Sequence, residues 1–315
     1  MKYIFIFLIL FVNIFLFIHI LGFLSNKQLL KESFTVNDNC TDIGNCLSSY
    51  YYALILSILE KKDFIFHSKF NYNFLKHLPQ YIKFDNNIYD SFIKNNITID
   101  NVYNDLPVYD DLAFWCINKN SLIIVSEIMK PLMNKIIHEA LQKESLFKII
   151  DTTIIHFRCA DTPFVKHPMY HFQKYNFFTD MLNRNILPNK NIILLSFTKH
   201  KSNEDSQLAC EKYSLSLKKY LEQHNYNVTI KSETDGEDFA TMFYAPLVIS
   251  TISSFCFFAG FFGNGKYYQP TCWTQDNTEI CDNCNENIVL KGYNLLHYEV
   301  DDYLNTEKVI NLLNK

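Results

Sequence analysis

Asp151-Thr152-Thr153-Ile154-Ile155-His156-Phe157-Arg158-Cys159-Ala160-Asp161 is the stretch on which the fold turns. Its apolar, β-branched run over 153–157, closed by charged and small residues, reads as a buried strand. The chain then keeps alternating. A helical stretch near 171–183 leads to a strand over 192–197, and a helix follows in which Cys210, Tyr213, Leu217, Tyr220 and Leu221 share a face. A strand over 228–231 precedes a helix over 237–245 that Pro246 stops. Residues 247–250 read as strand and 254–262 as a strongly apolar helix. Strands and helices in this order predict an α/β fold with a parallel, helix-covered sheet.

Upstream, Leu47, Tyr50, Tyr51, Leu54 and Ile58 recur at helical spacing and lead through Lys61-Lys62-Asp63 into the strand-like Phe64-Ile65-Phe66. The apolar run 121–128 and the amphipathic stretch 131–146 make the region from 70 to 145 mostly helical. Residues 3–24 are apolar apart from Asn13 and His19 and follow Lys2, a length that spans a bilayer. A cleaved signal peptide would have a shorter apolar region, about 7–15 residues, ending at a small-residue cleavage site. Neither condition is met well, so an uncleaved signal anchor is expected. The chain should therefore divide into a transmembrane signal anchor over 1–25, an N-terminal domain over 26–148 and a C-terminal domain over 149–315.

The formal net charge of −4, with no basic stripe, argues against a nucleic-acid partner. Of nine cysteines, Cys40, Cys46, Cys272, Cys281 and Cys284 lie in polar, loop-like stretches, which fits an oxidising lumen. Sequons at Asn39, Asn96 and Asn227 agree with that side of the membrane. A single-pass type II protein with its body in the Golgi or endoplasmic-reticulum lumen is the expectation. Cys281 and Cys284 have the spacing of half a zinc site, with only Cys272 and the distant His297 to complete it; disulfides are the default reading.

Three motifs carry chemistry. Arg158 and His156 fall at the carboxyl end of the strand over 153–157, where α/β sheets hold ligands, and a permanently charged guanidinium suits a diphosphate. The alternative there is an Arg158–Asp161 ion pair. Ser250-Thr251-Ile252-Ser253-Ser254-Phe255 sits between a strand and a helix start, so Ser253 or Ser254 either binds a phosphate or caps the helix. Asp235-Gly236-Glu237-Asp238 opens a helix, and its acids are first of all partners of the helix dipole at a solvated end.

In this order the motifs resemble the fucosyltransferase superfamily that includes α-1,2- and α-1,6-fucosyltransferases and protein O-fucosyltransferases. His156-Phe157-Arg158-Cys159-Ala160-Asp161 is similar to its His-x-Arg-x-x-Asp element, and the segment 164–175, with His167-Pro168, resembles the stretch next to that element in the α-1,6 branch. Asp238-Phe239-Ala240-Thr241-Met242 through Ser253-Ser254-Phe255 resembles the Asp-led helix, short strand and Ser-Ser-Phe element. Gly44-Asn45 looks like the opening Gly-x-Gly-Asn turn, although Asp42 replaces the first Gly and Cys46 stands where many members carry Arg or Gln. The matching segments cover about a third of the chain, mostly in the second half.

The resemblance implies two Rossmann-like domains facing a cleft, the GT-B arrangement, with an N-terminal acceptor-side domain and a C-terminal nucleotide-sugar-binding domain. It implies a GDP-fucose donor, inversion at the sugar carbon, a glycan or glycoprotein acceptor, and no required metal or other cofactor. Arg158 would hold the diphosphate with His156 beside it and Asp161 in the same element; Asp238 would contact guanine or ribose; Ser253 and Ser254, with Phe255 next to them, would grip phosphate; Asn45 would approach the donor from the other domain. The general base stays open, since Asp110-Asp111, His67 and His200 qualify by residue type only. Two readings compete: a nucleotide-sugar transferase with another donor, and a transferase-like membrane protein that binds glycans without catalysis. A metal-dependent transferase usually needs Asp-x-Asp, which does not occur in the sequence.

Overall fold

A computed structural model of the protein describes residues 42–66, 70, 73–99, 119–159, 172–185, 189–196, 203–251, 253–270, 289–290 and 302–315. The N-terminal part comprises α1 (Ile43–Leu59), β1 (Phe64–Ile65), a 3-10 turn (Asn73–His77), β2 (Tyr81–Ile82), α2 (Asn86–Lys94) and α3 (Lys119–Lys143). Then come β3 (Thr153–His156), α4 (Asn176–Asn183), β4 (Asn191–Leu195), α5 (Glu204–Gln223), β5 (Asn227–Lys231), α6 (Asp235–Tyr244) and β6 (Leu247–Ser250). The last elements are α7 (Ser254–Cys256), which runs into a π-helical turn (Phe257–Phe261), then β7 (Lys266–Pro270), β8 (Val289–Leu290) and α8 (Thr306–Leu313).

Six strands form one sheet in the order β5-β4-β3-β6-β7-β8, every neighbouring pair parallel. In chain order this is third, second, first, fourth, fifth, sixth, the doubly wound order of Rossmann sheets. The α/β class and the parallel sheet therefore match the sequence reading. Buried side chains alternate across it as the two-residue period requires. Ile154, Leu195, Val248 and Tyr267 face a core shared with α1, α3 and α6, whereas Ile155, Leu194, Val228, Ile249 and Tyr268 face one shared with α4, α5 and α8.

The N-terminal elements lie on the first of these faces. Among the described residues they hold one two-stranded antiparallel ladder, β1 with β2, and their buried side chains belong to the same cluster as those of α6 and the π turn. α1 is buried nearly all round, and its tyrosine hydroxyls are satisfied inside, Tyr50 donating to the Pro79 carbonyl at 2.9 Å and Tyr51 to Ser126 Oγ at 3.1 Å. The stretches 121–128 and 131–146 join in the single helix α3 with Pro131 inside it. Its continuous inner face of Met129, Met133, Ile136, Ile137, Ala140 and Leu141 outweighs the one backbone bond that proline removes.

The helix expected over 254–262 differs in kind, since only Ser254–Cys256 is α-helical before the wider turn takes over. Every residue of that turn is buried, so hydrophobic period had nothing to report, and Gly260 leaves room for the ring of Tyr267 against its Cα. Among the described residues no helix is long and apolar enough to cross a membrane. The segment 1–25, Cys40, Cys272, Cys281, Cys284, His297 and the sequon at Asn39 lie outside the described residues.

Candidate functional site at the switch point of the sheet

The sheet grows from β3 toward β4 and β5, then restarts on the other side with β6. Ligands of doubly wound sheets sit at that reversal, beyond the carboxyl ends of the strands. Here His156 pairs in register with Ser250, and the chains part immediately afterwards. Phe157 N–H donates to the Leu195 carbonyl at 2.9 Å on the β4 side, while Arg158 N–H donates to Thr251 Oγ1 at 2.8 Å on the β6 side. Thr251 N–H donates in turn to the His156 carbonyl at 3.0 Å. The two strand ends are thus stitched together at the switch point.

Arg158 is half-buried, and its charge acts on both His156 at the end of β3 and Cys256 in α7. His156 Nδ1 is sealed from solvent and has no hydrogen-bond partner among the described residues. Burial, and secondarily the charge of Arg158, depress the imidazole pKa to about 3. The ring is therefore neutral at physiological pH, a hydrogen-bonding group beside a cation and not a second cation. The Cys256 thiol is buried and held well above its ordinary pKa by that burial, with the hydroxyls of Ser253 and Ser250 beside it.

Ser253 stands at the N-cap position of α7, yet its side chain makes no capping hydrogen bond, so the capping alternative does not describe it. Ser253 and Ser254 are both buried. Phe255 lies with its ring 6.1 Å from that of His156 and 5.5 Å from that of Phe239. The start of α1 meets this element: a Cβ on Gly44 would lie 2.5 Å from Ser254 Oγ and 2.6 Å from the Phe255 amide nitrogen. Gly44-Asn45 and Ser253-Ser254-Phe255, from opposite ends of the sequence, are thereby neighbours, with Asn45 partly exposed in the first turn of α1. Gly44→Ala is expected to cost about 1–3 kcal/mol, the usual scale for forcing extra volume into a packed contact, because the backbone of Phe255 cannot yield as a side-chain tip would. Chemical denaturation of the variant checks this.

Asp238 departs from a solvated helix start. It is buried, and its carboxylate accepts the Glu233 N–H at 3.1 Å. Burial raises its pKa to about 6, against the opposing effect of that N–H. The dipole partners of α6 are in part organised as a capping box, the Thr234 hydroxyl accepting from the Glu237 amide while the Glu237 carboxylate accepts from the Thr234 amide. Lys148 braces the same turn through Glu233 at 2.9 Å and Thr241 at 3.0 Å. Asp238 also acts electrostatically on Cys256, so it borders the cluster while its bond turns back onto its own loop.

Arg158, His156, Ser253, Ser254, Phe255 and Asn45 are thus drawn toward one end of the sheet, with Asp238 at its border. Asp161 and its possible pairing with Arg158 lie outside the described residues, as do Asp110, Asp111, His67 and His200. Three features escaped the sequence reading: Thr251 as the link between strands, Gly44 as a contact point, and the Cys159–Cys210 disulfide. Thr234-x-x-Glu237 carried a legible capping-box signature; nothing in cysteine spacing could single out the pairing of Cys159 with Cys210.

The two shifted groups make opposing contributions to acid stability. His156 binds fewer protons folded than unfolded between about pH 3 and its ordinary value, so its contribution is lost as pH falls through that window. Asp238 binds more protons folded than unfolded up to about pH 6, so its contribution grows as pH falls. Asp238→Asn, which retains an oxygen to accept the Glu233 N–H, should therefore steepen the loss of stability between pH 6 and pH 4. Urea midpoints measured across that range check the sign, and an unchanged slope would refute it.

Fold and site together define a doubly wound α/β protein that gathers an arginine, a neutral histidine and a pair of buried serines at its switch point. No family model, no curated protein and no solved structure matches this chain.

Proposed function

We propose that the protein is a glycosyltransferase of the fucosyltransferase type that transfers fucose from GDP-fucose to a glycan or glycoprotein, inverting and without a metal ion. The observation that carries this reading is the convergence of Arg158, the Ser253-Ser254-Phe255 element and Gly44-Asn45 at the switch point, three motifs that resemble that superfamily in sequence alone. The same proposal includes the finer architecture, with the parallel-sheet unit as the donor side of a cleft and the N-terminal part as the acceptor side. It also includes the signal anchor over 1–25 and a lumenal body.

In the proposed reaction an acceptor oxygen attacks the fucose anomeric carbon from the face opposite the nucleotide, and the bond from that carbon to the diphosphate breaks. Positive charge grows at carbon and negative charge on the departing phosphate. Arg158 answers the second, with the Ser253 and Ser254 hydroxyls as further donors. Neutral His156 stands beside Arg158 without adding a second positive charge. The acceptor proton passes to a general base.

Calorimetric titration of the full chain with GDP, GDP-fucose, UDP and a UDP-sugar, with and without a chelator, tests the reading. Saturable, chelator-insensitive binding of the guanine nucleotides is the expected result. Preference for UDP would transfer the assignment to another donor, and absence of nucleotide binding by a folded sample would refute the transferase reading. The lumenal placement has its own check. Asn96 is exposed in a left-handed turn after α2, followed by Ile97 and exposed Thr98, and is expected to carry a glycan. Glycosidase treatment should shift the wild-type protein from a secretory host by one glycan more than the Asn96→Gln variant.

A further inference from the structure

The main chain of Arg158 is held from both sides. Its amide donates to Thr251 Oγ1 at 2.8 Å, and the next residue, Cys159, is disulfide-bonded to Cys210 on α5, both cysteines being fully buried. Thr251 is itself immobilised: its amide donates to the His156 carbonyl at 3.0 Å, and its carbonyl accepts the Ser250 hydroxyl at 2.7 Å. Ser250 Oγ lies 3.0 Å from the Tyr267 hydroxyl, which donates to Gln269 Oε1 at 2.7 Å. A chain of polar contacts thus runs from β7 through β6 to Arg158, and the disulfide ties the residue after Arg158 to α5. Thr251 is 2% exposed, so its hydroxyl does not serve solvent.

We propose that Thr251 is the positioning residue for Arg158, its hydroxyl and the Cys159–Cys210 bridge together forming a clamp that fixes where the guanidinium stands in the crevice. The clamp is read from main-chain geometry; its consequence for ligand binding rests on the donor reading above. A charged group held by a rigid support delivers its interaction without reorganising when the ligand arrives, and a small displacement of such a group is costly. Threonine suits the role because one oxygen accepts from Arg158 while the β-branched carbon restricts the rotamer. Valine has the same shape and no acceptor, whereas serine keeps the acceptor.

The experiment compares full-length wild type, Thr251→Val and Thr251→Ser by amide hydrogen exchange and by calorimetry with GDP. In Thr251→Val, exchange at the Arg158 amide should rise while the amides of Ile154 and Ile155 keep their protection, and GDP affinity should fall about tenfold or more, the scale on which misplacing a catalytic group acts. Thr251→Ser should stay close to wild type in both readings. Unchanged exchange at Arg158 in Thr251→Val overturns the clamp, and so does wild-type GDP affinity in a variant whose exchange has risen. If wild type binds no GDP, the donor reading fails by itself, and the exchange comparison still decides whether Thr251 holds Arg158. Should Thr251→Val not fold, Thr251→Ala removes the same oxygen with less crowding and is judged by the same two outcomes.

Discussion

Arg158→Ala is expected to weaken GDP binding by about a hundredfold or more in a variant that still folds. The loss of affinity reflects the effect of truncation in a partly buried site: removing one member of a charge-assisted hydrogen-bonded pair typically costs about 2–5 kcal/mol, much of it from leaving the other charge unanswered. A neutral His156, with its pKa near 3, cannot replace the missing cation at neutral pH. The variant is expected to fold because two anchors at this position lie in the main chain. Its amide bond to Thr251 Oγ1 and its link to the disulfide at Cys159 are main-chain features that alanine keeps. Arg158→Lys should fall between the two, because an ammonium supplies charge without the planar fork. Calorimetry alongside a thermal melt separates these outcomes; a folded Ala variant with undiminished affinity would remove Arg158 from the site.

The second half of the chain was legible because its elements differ in chemistry as well as in position. A buried parallel strand is a short apolar run closed by polar residues, and 247–250 matches β6 to the residue because Pro246 closes α6 on one side and hydroxyl residues follow on the other. Where every side chain is apolar, periodicity loses its contrast, as in the π turn over Phe257–Phe261. At α3 packing carries one helix through Pro131 and joins the two stretches that the sequence shows separately.

Within the site, the identity of the strand-end residues was legible and their partners were not. Thr251 looked like one hydroxyl among several; only the parallel register of His156 with Ser250 puts it under Arg158. Asp238 looked solvated because three acids cluster at the start of α6, but the helix turns that position inward against the loop at Glu233. The meeting of Gly44 with Ser254 is a tertiary contact between segments far apart in sequence, and no local pattern encodes it.

Removing the Cys159–Cys210 bridge is the change expected to cost most stability. The two cysteines are 51 residues apart, and closing a loop of that size in the unfolded chain corresponds to about 4 kcal/mol in the chain-entropy account. For a chain of 315 residues that lowers the melting temperature by roughly 6 °C. The bridge also ties the end of β3 to the helical layer on one face of the sheet, since Cys159 follows β3 while Cys210 lies on the inner face of α5 and both belong to the core on that side. A Cys159→Ala/Cys210→Ala double variant is preferred to a single one, which would leave a lone buried thiol with a separate reactivity. Under reducing conditions wild type and double variant should melt together, because a reductant removes from both the other disulfides, among them the one that holds Cys46. Equal melting temperatures for wild type and double variant under oxidising conditions would show that the fold closes this loop unaided. A large shift would mean that the support beneath Arg158 depends on the redox state of the compartment, and that in a reducing compartment Arg158 would lose one of its two anchors.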